Sequence, residues 1–159
     1  MARKENGEYL LLSKFDEEVV FEYHITIRDE DFNLGILTMR TPEEGKPFGE
    51  GPAKALSVGL QIAEEMGFRT VNLDNYCGYA EMGEGDEIVG IAGHLDIVPV
   101  GGDWSYNPFE LTRKGDYVYG RGTTDDKGPV MEALYAMKLL RDSGVNLNKR
   151  VRLIIGCNE

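Results

Sequence analysis

The chain has 159 residues, 42% of them hydrophobic, which suits one folded domain and argues against a disordered chain. Its 17 basic and 28 acidic side chains give a formal net charge of -11, a balance that repels phosphate backbones and argues against nucleic-acid binding. Two cysteines, Cys77 and Cys157, encode neither a disulfide framework nor a four-thiolate zinc site. The apolar runs are too short for a membrane span and no secretion leader is evident, so the expected location is cytoplasmic.

Taken in chain order, Glu8 to Leu12 fits either a strand or a helical turn, whereas the β-branched and aromatic residues of Val19 to Ile27 predict a strand. Gly, Pro and charge crowd Thr41 to Gly51, the signature of a loop with several turns. Leu56, Gly59, Leu60, Ala63 and Met66 then fall at helical spacing, with Pro52 near the start and Gly67 as the stop. Phe68 to Leu73 and Gly78 to Met82 predict two short strands joined through Asp74 and Asn75. Glu87 to Gly93 is nearly continuous in small and apolar residues, the pattern of a strand buried on both faces. A loop from Pro99 to Tyr106 precedes a hairpin running from Phe109 through Gly115 to Tyr119. Pro129 opens a second helix with Val130, Ala133, Leu134, Met137 and Leu140 as its buried stripe, ended by Ser143 and Gly144, and Val151 to Ile155 is the last strand. Strands alternating with helices imply an α/β fold, a sheet with helices packed on it.

The chemistry-bearing residues sit at the joints of this pattern. His94 and Asp96 follow a strand, where ligands of open α/β sheets bind, and their spacing points both side chains the same way if the backbone stays extended. One residue can then ligate a metal while the other orients the imidazole; a histidine ending a strand beside a solvated aspartate fits the same spacing. Asp125 and Asp126 lie among Gly120, Gly122 and Gly128 before a helix whose free amides favour an anion. Adjacent carboxylates repel unless a cation, Lys127 or a divalent metal, intervenes; alternatively one aspartate caps the helix and the other decorates a turn. Imidazole with carboxylates suits zinc, manganese or cobalt. Calcium-loop, zinc-helix, dinucleotide, phosphate-loop and serine-elbow signatures are all absent.

Three segments closely resemble the metal-site motifs of the M20 metallopeptidases: Gly93-His94-Leu95-Asp96-Ile97-Val98-Pro99, the stretch Tyr119 to Gly128, and Gly156-Cys157-Asn158-Glu159. The resemblance is to the dipeptidase branch, PepV-like and Sapep-like, which also carries a stretch similar to Pro47 to Leu56. It covers roughly residues 45–159, with Trp104 and Pro108-Phe109 also in keeping.

The resemblance implies a three-layer-like mixed sheet with flanking helices, an incomplete zinc-peptidase catalytic domain whose N-terminal portion is residues 45–159, preceded by an atypical segment over residues 1–44. It implies His94 as a metal ligand, Asp96 as the carboxylate supporting that imidazole, Asp125 as the aspartate bridging two metals, with its peptide bond to Asp126 in the cis form, and Glu159 as general base. The implied activity is hydrolysis of dipeptides by metal-activated water, with two Zn2+ ions, or Mn2+ or Co2+ in their place. The family's later ligands lie beyond Glu159, so activity is expected of a longer enzyme rather than of these residues alone. The alternative is a catalytically silent α/β fragment acting through protein association, including self-association. Family members begin with helices where Val19 to Ile27 is β-rich, a departure confined to the first quarter of the chain.

Overall fold

The computed structural model describes the backbone of residues 2–5, 8–15 and 18–25, and residues 42–158 in full. The first strands are β1 (Ala2–Glu5), β2 (Glu8–Phe15) and β3 (Glu18–Ile25), an antiparallel meander with Ala2 opposite Leu11 and Tyr9 opposite Ile25. Glu8 to Leu12 is therefore strand rather than helical turn, and the strand expected from Val19 forms as far as Ile25. Thr26 and Ile27 lie outside the described residues.

Helix α1 spans Glu50–Glu65, with Pro52 in the first turn, where a missing N–H costs nothing. Its end is a Schellman motif: Gly67, at φ 87°, donates its N–H to the Glu64 carbonyl at 2.8 Å, and Phe68 donates to Ala63 at 3.0 Å. Strands β4 (Arg69–Leu73) and β5 (Cys77–Met82) form a hairpin whose turn residues Asp74 and Asn75 both have positive φ. That pair is the expected junction, and left-handed Asp and Asn give a turn matching the twist of the strands.

Strand β6 (Ile88–His94) is followed by the small hairpin of β7 (Thr112–Lys114) and β8 (Tyr117–Tyr119), helix α2 (Lys127–Asp142) and strand β9 (Arg150–Gly156). The main sheet has the order β4-β5-β9-β6, with β9 antiparallel to β5 and parallel to β6. This is the α/β sheet expected from the alternation of strands and helices, and it is mixed, as the family resemblance implies. Leu56, Leu60 and Ala63 of α1 and Val130, Met131, Leu134 and Met137 of α2 share one core with Ala80, Val151, Leu153 and Ile155. Those strand residues alternate along β5 and β9, so both helices cover the same face of the sheet.

Two expectations need correction. Strand β6 is not buried on both faces: among the described residues it is the sheet edge, and Ile88 and Val89 are 42% and 48% exposed. Leu140 is not part of the α2 stripe but 39% exposed. Each three-residue step falls about 60° short of a full helical turn, so two such steps beyond Leu134 carry Leu140 about 120° off the buried face.

On the opposite face, Glu81 is buried at 3% exposure and surrounded by arginines. Arg152 Nε donates to it at 2.6 Å, Arg69 donates to its other oxygen, and Arg150 lies 3.6 Å away. Burial works against the ionised carboxylate, but the hydrogen bonds from Arg69 and Arg152 and the arginine charges outweigh it and hold the acid below its ordinary range. The stabilisation is thus present above about pH 4.5 and is lost as pH falls below it. Glu81→Gln should cost about 1–3 kcal/mol at neutral pH and flatten the acid side of the stability profile, measured by denaturant unfolding from pH 3 to pH 7.

Candidate metal site

The site forms where β6 ends and α2 begins. His94 closes β6 opposite Gly156, and the next residue, Leu95, donates its N–H to the Gly156 carbonyl at 3.1 Å, extending the β6-β9 pairing one step. Leu95 is fully buried against Gly59, whose absent side chain leaves room for its methyl group. Asp96 follows at 5% exposure. From the other side, Gly120 to Asp126 bring the acidic pair up to the imidazole, and the Asp125–Asp126 peptide is cis.

His94 lies between two carboxylates. Its Nδ1 is 3.3 Å from Asp96 Oδ1, and its Nε2 is 3.3 Å from Asp125 Oδ1. The first contact fits an imidazole held by a supporting acid; the second brings together two atoms of metal-ligating type. An imidazole nitrogen and a carboxylate oxygen are donors of the kind zinc takes, and at 3.3 Å apart they are close enough that one ion could be held by both. The Asp125 side chain is 62% exposed, leaving the pair open to solvent and to further ligands. Among the described residues no group of three or more His, Cys, Asp or Glu side chains is gathered to hold a metal, and Glu159 lies outside the described residues.

Asp126 occupies the N-cap position of α2 but makes no side-chain capping bond; its carboxylate instead accepts the His94 N–H at 3.0 Å. Neither the capping reading nor the decorated turn describes it. Lys127 does not bridge the two aspartates either: it turns inward, 4% exposed, and donates to the Leu95 carbonyl. Burial pulls its ammonium down to about 8, opposed by the negative charge of Asp96. Burial likewise pushes the nearby Cys157 thiol up to about 11, helped by Asp96, which leaves it an inert packing group. The sequence signal for Asp126 and Lys127 was their place at a glycine-flanked helix start, but not the direction each side chain takes.

Beside Asp125 a cavity of about 270 Å3 is lined by Trp104, Tyr119, Arg121 and Thr123 among others. Arg121 stacks on Trp104 at 5.0 Å and donates to the Val100 carbonyl at 3.1 Å, while Trp104 Nε1 donates to the same carbonyl at 2.6 Å. The loop after Pro99 is thereby tied to the turn that carries Asp125.

Residues 90–159 match the sequence model of Peptidase family M20/M25/M40. The chain belongs to peptidase family M20. Among its relatives, "Putative dipeptidase YtjP" of Bacillus subtilis is 42% identical over 148 residues, 91% of this chain and 32% of that protein. "Putative dipeptidase SAUSA300_1697" of Staphylococcus aureus is 45% identical over 116 residues, 73% of this chain and 25% of that protein. The chain thus spans about a third or less of the length of these relatives. Among solved structures, the M20 family metallo-carboxypeptidase Sso-CP2 of Sulfolobus solfataricus superposes with a TM-score of 0.65 at 27% identity, covering 82% of this chain and 29% of that one. Human carnosine dipeptidase 1 shares the fold at a TM-score of 0.65 and 24% identity, covering 80% of this chain and 30% of that one.

One glycine is fitted closely into this junction. A Cβ on Gly93 would lie 2.5 Å from Asp126 Oδ2 and 2.6 Å from the Val130 side chain, whereas one on Gly90 would meet nothing within 4 Å. Gly93→Ala should therefore lower stability by about 1–3 kcal/mol and Gly90→Ala should not, a contrast readable by thermal unfolding of the two variants.

Proposed function

We propose that these residues form part of the catalytic site of a metal-dependent dipeptidase, acting within a longer enzyme. The observation that carries this reading is the placement of His94 between Asp96 and Asp125 at 3.3 Å on either side. It is supported by membership of a peptidase family and by relatives named as dipeptidases. His94 and Asp125 would hold zinc, with manganese or cobalt as alternatives. When bound, such ions supply an acidified water and polarise the peptide carbonyl.

The chain's own residues have separate tasks in this reading. Asp96, with Oδ1 3.3 Å from His94 Nδ1, would take a hydrogen bond from that nitrogen and so favour the tautomer that leaves the Nε2 lone pair free on the Asp125 side. Asp126 holds the His94 backbone and so sets where the ring begins. Glu159, on the family resemblance, takes the proton from the attacking water and returns it to the departing amine. No helix among the described residues is long and apolar enough to cross a membrane, and a small peptide is the proposed partner.

A second reading is a silent association module. It is favoured by the sheet face opposite the helices, where Leu73, Ile88 and Ile154 are each at least 40% exposed.

Calorimetric titration with zinc and with manganese, beside Asp125→Ala, separates the two. The hydrolase reading expects binding that the substitution weakens at least about tenfold, the loss of one direct ligand, together with chelator-sensitive dipeptide cleavage by the longer protein. No binding by either protein, together with concentration-dependent dimerisation, would favour association.

A further inference from the structure

Two consecutive side chains at the start of α2 grip two consecutive backbone groups at the end of β6. Asp126 accepts the His94 N–H at 3.0 Å, and Lys127 Nζ donates to the Leu95 carbonyl. With the Leu95 N–H already bonded to Gly156, Leu95, the residue between His94 and Asp96, is held at both its backbone polar groups. The lysine stem reaches this point across Gly122, at φ 89°, where a Cβ would come within 3.2 Å of the Lys127 Cδ and of the Ile97 side chain. An ammonium at 4% exposure is expensive to desolvate, and a carbonyl at a strand end could be satisfied by water at far less cost. The placement makes sense if the fixed position of the carbonyl is itself what matters.

We infer that Lys127 is a positioning residue: its buried ammonium fixes the Leu95 carbonyl and thereby the bend that keeps Asp96 against His94 and His94 against Asp125. Its purpose rests on the hydrolase reading above, while its geometry does not. The side chain touches neither substrate nor reacting atoms; it acts through the backbone that carries the two residues on either side of Leu95. Methionine approximates the length of the stem but cannot donate, which leaves the Leu95 carbonyl without its partner. Arginine can donate but must crowd the space over Gly122.

The test is nitrogen-15 NMR on the metal-free protein, comparing the parent with Lys127→Met and Lys127→Arg. In Lys127→Met, amide exchange at Asp96 and Ile97 should rise by about tenfold or more, the loss of one buried hydrogen bond, and the His94 ring nitrogens should move toward free imidazole values. Leu134 and Leu153 should keep their protection, and Lys127→Arg should recover part of both effects. Unchanged exchange and ring signals in Lys127→Met would overturn the inference. So would uniform loss of protection in both variants, which would give Lys127 a role in global stability instead. Because no metal or substrate is present, a failed metal titration alongside a positive result here would remove the hydrolase reading and leave the positioning role standing.

Discussion

The structure of the site depends on one constraint: the C-terminal end of β6 is pinned to the N-terminal end of α2. Among the described residues, strand β6 is an edge strand that could otherwise fray, since only β9 pairs with it. The Asp126 bond to His94 and the Lys127 bond to Leu95 add partners from α2, and the Leu95 bond to Gly156 extends the β9 pairing by one residue, just where the candidate site lies. Glycine makes the junction possible. At Gly93 a side chain would collide with Asp126 and Val130, and at Gly128 with the backbone of Thr123. The glycine content of these motifs is thus the condition for close approach of strand, loop and helix rather than a mark of loose chain.

Much of the fold was legible because its punctuation is local. Pro52 and Gly67 bracket α1, Asp74 and Asn75 make the hairpin turn, and Gly144 at φ 69° ends α2, each through backbone preferences that neighbouring residues do not override. The burial of β6 was not legible. A continuous apolar run reports tolerance of burial, whereas its actual exposure depends on strand order, which is a long-range property. The failure at Leu140 is of another kind, since a three-residue repeat drifts around a helix and a short window does not reveal the drift.

The site was legible as residue types and only partly as geometry. Spacing alone related His94 to Asp96, but the approach of Asp125 to His94 spans 31 residues and was implied only by family resemblance. Asp126 was weighed as a cap and Lys127 as a cation between carboxylates; the structure sends both to the backbone of β6. The arginine cluster around Glu81 went unseen for the same reason, because Arg69 comes from β4 and Arg150 and Arg152 from β9, strands far apart in sequence that flank β5 in the sheet. In a chain of formal net charge -11 it is a local reversal of sign on the face away from the helices.

The central claim is that His94 and Asp125 converge on a common metal position. X-ray absorption at the zinc edge, on protein given one equivalent of zinc, reads the ligands directly. The account predicts an imidazole and oxygen environment without sulfur, with the imidazole signature lost in His94→Ala. A spectrum containing sulfur scattering from Cys77 or Cys157, or an imidazole signature that survives in His94→Ala, would contradict it.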